Sequence, residues 1–134
     1  MADTVTSQTI QDDNRKAVLK FTNISDGTGE SAVTKIDVSA LTKNSGGDSC
    51  TEVAIAKIWW QCVGMGVELL NDATTDTLII ALSPDSNGMH DYSSFSAIPN
   101  DAGSGKTGDV KFTTIGASSG DTYTVILEVL KSYT

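Results

Sequence analysis

Hydrophobic and polar residues alternate with a period of two along most of this chain, the signature of strands whose side chains project to opposite faces in turn. The longest apolar run, Val53 to Val63 (VAIAKIWWQCV), holds both tryptophans. Read as one unbroken strand, it puts Ala54, Ala56, Ile58, Trp60 and Cys62 on a wholly apolar face. Val53, Ile55, Lys57, Trp59, Gln61 and Val63 share the other, mixed face. The first face predicts core. The second is too apolar for plain solvent and too polar for a core, which is the character of a contact with another chain. The pattern therefore predicts Trp60 inside and Trp59 at an intermolecular contact, with Lys57 and Gln61 beside it.

The rest of the chain supplies further short strands. Arg15 to Ile24 sends Ala17, Leu19 and Phe21 inward and Lys20 and Thr22 outward, and ends at the turn Ser25-Asp26-Gly27. Ser31 to Leu41 reads as a strand with Ala32, Ile36, Val38 and Ala40 on one face, and KNSGGDS from Lys43 to Ser49 as a loop. Met65, Val67 and Leu69 line one face of the next strand. Thr77 to Leu82 is apolar on both faces, so it predicts a central strand covered on each side, or an interface. A weak strand over Met89 to Phe95 precedes a loop from Ser96 to Gly108. Asp109 to Ile115 and Asp121 to Ser132 alternate cleanly, with Val110, Phe112, Tyr123, Val125, Leu127 and Val129 inward. About eight or nine short antiparallel strands and no convincing helix predict an all-β protein, a β-sandwich with jelly-roll-like topology. Residues 14–134 form its single domain. Met1 to Asp13 reads as an N-terminal arm or edge strand; it is too polar for a core of its own, and Val5 and Ile10 are its candidate contacts with a neighbour.

Composition narrows the partners. The chain has 134 residues, a net charge of -8 and one arginine, Arg15, so it lacks the clustered cations that phosphate backbones require. No run reaches the length of a membrane span and the N-terminus has no signal-peptide pattern, so the expectation is a protein made in a cytoplasm, without nucleic-acid or membrane partners. Cys50 and Cys62 would lie roughly 40 Å apart in one continuous strand, too far to bridge unless the chain bends, and read as reduced thiols.

Strings that look catalytic fail on context. Gly116-Ala117-Ser118-Ser119-Gly120 matches a nucleophile elbow, yet it links two strands and the single histidine, His90, precedes it. Gly103-Ser104-Gly105-Lys106-Thr107 resembles a phosphate loop, but position 100 is Asn100 and a strand follows. Asp85, Asn87 and Gly88 hint at a calcium loop, although Ser96 stands where the bidentate acid belongs. A calcium site assembled by folding from Asp72, Asp76, Asp85 or Asp101 stays open. No catalytic residue, cofactor or metal is assigned.

The combination VLKFTNISDGTGESAVTKIDVSAL, KIWW, GMGVELLNDATTDTLIIAL and TGDVKFTTIGASSGDTYTVILEVLK resembles small virion proteins of tailed bacteriophages, notably marine phages, of the capsid decoration or cement type. The likeness spans nearly the whole chain as overall texture and transfers no residue by position. It implies a β-sandwich on the outer surface of an assembled head, commonly a homotrimer, that binds the major capsid protein and locks neighbouring capsomers without enzymatic activity. The alternative is a ligand-binding β-sandwich, a carbohydrate-binding or tail-fibre domain, in which Trp59 or Tyr92 stacks on a sugar ring.

Overall fold

Alternation becomes a two-layer sandwich in the computed structural model, which describes residues 3–95 and 97–133. Met1 and Ala2 of the N-terminal arm reading and Ser96 of the calcium-loop reading lie outside the described residues. Nine strands follow in order: β1 (Thr4–Asp12), β2 (Lys16–Ile24), β3 (Val33–Ile36), β4 (Glu52–Val63), β5 (Gly66–Asn71), β6 (Thr77–Leu82), β7 (Asn87–Asp91), β8 (Val110–Ile115) and β9 (Thr122–Ser132). They form a five-stranded antiparallel sheet, β1-β2-β9-β4-β7, and a four-stranded one, β3-β8-β5-β6. With β1 set aside, the two four-stranded orders and the repeated crossing between sheets are those of a jelly roll.

Apolar residues from both inner faces fill the space between the sheets. Leu19 and Phe21 of β2, Ile58 of β4, Val67 and Leu69 of β5, Phe112 of β8, and Tyr123, Val125, Leu127 and Val129 of β9 are buried. Phe112 meets Phe21 edge-on at 5.3 Å and Tyr123 at 5.8 Å, joining the sheets through offset rings. Cys50 and Cys62 are free and buried in this core. Burial pushes the Cys62 thiol up to about 11 and raises that of Cys50, so both stay protonated and pack as small apolar groups.

Three sequence readings change. The strand expected from Ser31 to Leu41 stops at Ile36, because the Asp37 carboxylate accepts the Ser39 N–H and starts a single 3-10 turn, Val38–Ala40. Thr77–Leu82 is the edge of its sheet, pairing with β5 alone. Its apolar outer side is therefore exposed at the margin, with no second neighbour strand. The strand expected over Met89 to Phe95 is shorter, ending at Asp91, where the carboxylate accepts from Ser93 and a turn, Ser93–Phe95, follows.

The extra strand β1 pairs along its length with β2 and is pinned at both ends by aspartates. At one end the Asp3 carboxylate accepts the Asp26 N–H at 3.0 Å, the Thr28 hydroxyl at 3.1 Å and the Asn23 amide at 3.1 Å. Burial works against its charge, but these donors, with the Asp26 N–H foremost, outweigh it and hold its pKa at about 2. Beneath it Glu30 bridges Lys35 at 2.5 Å and the Tyr123 hydroxyl at 2.6 Å, all inside the protein. At the other end Asp12 accepts from Lys131 at 2.6 Å; the Lys131 side chain is 0% exposed. Lys131 also donates to the carbonyls of Asp13 and Thr42, each at 2.8 Å, so one cation ties β9, the β1–β2 turn and the β3–β4 loop together. Burial again opposes the Asp12 charge, and the Lys131 and Thr42 hydrogen bonds prevail, lowering its pKa.

Both carboxyls titrate below their usual value of 3.8 in the folded state. Their stabilising contribution is thus complete above that value and is lost as pH falls toward 2. Chemical denaturation across pH should show a plateau above about pH 5 and a decline between about pH 4 and 2. Asp12→Ala, which strands a buried ammonium, should cost about 3 kcal/mol at neutral pH. A variant as stable as the parent at neutral pH would contradict the clamp.

Candidate functional site

The mixed face of the tryptophan strand exists, but a one-residue irregularity builds it. Within β4 the pairing with β9 slips between Ile55 and Lys57, leaving Ala56 as a β-bulge. Before the bulge Val53 and Ile55 face the core; after it Ile58 and Cys62 do. The unbroken alternation that grouped Ala54 with Ile58 and Val53 with Trp59 is corrected accordingly. The segment after β7 holds the bulge: Ile55 and Ile98 exchange both backbone hydrogen bonds at 2.9 Å, and the Tyr92 N–H donates to the Ala56 carbonyl at 2.7 Å.

Register then fixes the outer face of the five-stranded sheet. Trp59 lies opposite Ile126 of β9 and Met89 of β7, and Ile126 lies opposite Lys20 of β2. The row beside it runs Asp91, Lys57, Glu128, Val18, and the row on the other side Asn87, Gln61, Thr124, Thr22, Thr6. Cross-strand pairs of this kind stand about 5 Å apart, so Trp59, Ile126 and Met89 form a continuous apolar stripe with a hydroxyl and amide border. Thr6 and Thr22 hydrogen-bond across the border through their hydroxyls. A shallow hollow of about 180 Å³ opens at the stripe, lined by Trp59, Trp60, Gln61, Gly88, Thr124 and Ile126.

The electrostatics of this face differ from those of the whole chain. Its outward strand residues include three lysines, Lys16, Lys20 and Lys57, and three carboxylates, Glu52, Asp91 and Glu128. The face is neutral on a chain of net charge -8, so the excess acid lies elsewhere. Lys16 pairs with Glu128 at 3.6 Å, and Glu52 with Lys106 of the β7–β8 loop at 3.1 Å.

Trp59, Lys57 and Gln61 therefore come together here, whereas Val5 and Ile10 do not join them. Both are exposed on β1, three strands away from β4. Val5 shares the face of Asn23 and Phe21, opposite to that of Trp59, and Ile10 is the bulged residue of its strand. Trp60, expected wholly inside, is partly exposed at the open side of the sandwich. Its indole donates to the Ser86 hydroxyl at 3.0 Å and its ring meets His90 at 4.9 Å. Sequence reasoning missed Ile126 and Met89, because only the register aligns them with Trp59.

The other candidate groups are scattered. His90 meets the Tyr92 hydroxyl through Nδ1 at 2.8 Å on β7, and Ser118 lies in the β8–β9 turn, its N–H donating to Asp121. The Gly103 to Thr107 string is loop, in which Lys106 is committed to Glu52. Asp72 and Asp76 flank the Lys111 ammonium at 2.6 and 3.4 Å, while Asp85 caps the Gly64 N–H elsewhere. Among the described residues, no helix is long and apolar enough to cross a membrane. No protein-family model and no curated protein sequence matches the chain.

The geometry separates the tryptophans energetically. Trp60→Ala removes a ring packed against the core and should cost about 3 kcal/mol. Trp59→Ala should cost less than about 1 kcal/mol in the isolated protein. Paired urea unfolding curves check this, and a larger loss at Trp59 would reverse the assignment of faces.

Proposed function

We propose that this protein is a structural virion component, a capsid decoration (cement) protein of a tailed phage. It docks the outer face of its five-stranded sheet on the head shell and stabilises contacts between major capsid subunits; its role is binding, with no chemical step. The observation that carries this reading is the neutral face bearing the Trp59, Ile126 and Met89 stripe on an otherwise acidic body. A protein gathered in many copies on one shell must stay dispersed until it docks, and excess negative charge disperses it. One surface of no net charge that carries a tryptophan stripe gives the attachment, since buried aromatic anchors carry most of the energy of such contacts. The resemblance of the sequence to small phage virion proteins points the same way.

A second reading draws on the hollow beside Trp59. An indole bordered by Gln61 and Thr124 is also what a carbohydrate-binding sandwich offers a sugar ring. Both readings use the same face and differ in what covers it.

Parent protein and Trp59→Ala, added to undecorated heads, should differ by about 2 kcal/mol of binding, roughly thirtyfold in affinity. Heads carrying the parent should survive heating longer. If the parent neither binds nor protects heads, yet a glycan array retains it through Trp59, the carbohydrate reading replaces the cement reading.

A further inference from the structure

Asn23, Glu30 and Lys35 meet inside the sandwich, at the end where Asp3 is held. Asn23 is the inward residue of β2 two positions beyond Phe21, pairs with Tyr123 of β9 and is 1% exposed. Lys35 comes from the other layer, as the bulged residue of β3, and its side chain is 4% exposed. It lines a hollow between the sheets together with Leu19 and Phe21, the inward neighbours of Asn23 along β2. Glu30 joins the two: one carboxylate oxygen accepts from Asn23 Nδ2 at 3.0 Å and from the Tyr123 hydroxyl at 2.6 Å, and the other meets Lys35 Nζ at 2.5 Å. We propose that this is a self-modifying site, in which Lys35 and Asn23 condense into an intramolecular amide bond across the two sheets, with Glu30 carrying the protons.

As an ion pair alone the set is costly. Two charges give up their hydration here, and Asn23 Oδ1 is buried with no hydrogen-bond partner, which native interiors seldom leave. Turning the amide would not cure it, because Nδ2 donates to both the Asp3 and the Glu30 carboxylates and ionised carboxylates only accept. The walls are the rings of Phe21, Phe112 and Tyr123, and apolar surroundings favour the neutral amine, the nucleophilic form of a lysine. A comparison within the molecule shows what is particular to the site. Lys131 is equally enclosed, but its partners are a carboxylate, backbone carbonyls and a hydroxyl, with no side-chain amide to attack.

The step balances without an oxidant or a second substrate. Glu30 takes a proton from the Lys35 ammonium, and the freed Nζ lone pair attacks Cγ of Asn23. Glu30 then gives its proton to Nδ2 and takes a second one from Nζ, a relay that needs one carboxylate within hydrogen-bond reach of both nitrogens. The Cγ–Nδ2 bond breaks and ammonia leaves. The ion pair is replaced by a neutral amide and a neutral acid, and the Glu30 carboxyl gains a proton to donate to the amide oxygen. The bond would tie β2 of one sheet to β3 of the other, and it does not depend on the cement reading.

Mass spectrometry of the intact chain, denatured after a long incubation in the folded state and with its N-terminus established, tests this. The parent should be lighter than its sequence mass by one ammonia, and digestion should yield a single branched product joining the peptide of Asn23 to that of Lys35. Lys35→Arg keeps a cation beside Glu30 but is not a nucleophile, and Glu30→Gln removes the proton carrier; both should show the full mass. A folded parent at its full sequence mass overturns the proposal, and this reading does not depend on whether either variant folds. So does a loss of ammonia that maps to another pair of residues, or one retained by either substitution.

Discussion

The bulge at Ala56 is the constraint on which the rest of the molecule depends. Val53 and Ile55 enter the core at the start of β4, and strict alternation from there would carry Lys57, Trp59 and Gln61 inward. An ammonium and an amide would then be buried without partners, at a cost of several kcal/mol. The single extra residue reverses the parity, returning Ile58 and Cys62 to the interior and sending Trp59 out beside Ile126 and Met89. Alanine suits the position, since the bulged residue is itself 2% exposed and has little room.

That arrangement is kept by polar clamps at the ends of the sandwich. Lys131 gathers Asp12, the Asp13 carbonyl and Thr42, while Asp3, Asn23, Glu30, Lys35 and Tyr123 form a connected set at the opposite end. Charges of this kind are tolerable because Lys131 meets Asp12 and Lys35 meets Glu30, while Asp3 accepts several hydrogen bonds from neutral donors. They hold β1 against β2 with little help from apolar burial, since nearly all of β1 is exposed. The five-stranded sheet thereby gains width beyond the eight strands of the jelly roll, and its outer face extends from Met89 at one margin to Thr6 at the other.

Much of the fold was legible in the sequence because β2, β8 and β9 alternate strictly. Ala17, Leu19 and Phe21, Val110 and Phe112, and Tyr123, Val125, Leu127 and Val129 all face inward as their spacing predicts. What escaped was nonlocal. The bulge needs the partner register of β9 and the support of Ile98, neither of which is encoded near Ala56. The edge position of β6 depends on strand order, which apolar composition does not specify, and the end of β3 depends on one aspartate side chain competing for a backbone N–H. The outer face of the five-stranded sheet was half visible: Trp59, Lys57 and Gln61 follow from one strand, whereas Ile126 and Met89 join them only through pairing. Val5 and Ile10, singled out as the apolar residues of a polar N-terminal arm, lie on β1, apart from the Trp59 stripe.

An electron cryo-microscopy reconstruction of phage heads carrying this protein tests the central claim most directly, because it reads orientation without altering a residue. The account predicts the five-stranded sheet turned toward the shell, with Trp59, Ile126 and Met89 covered by capsid subunits and the acidic loops in solvent. A reconstruction in which that face points away from the shell, its tryptophan uncovered, would contradict it.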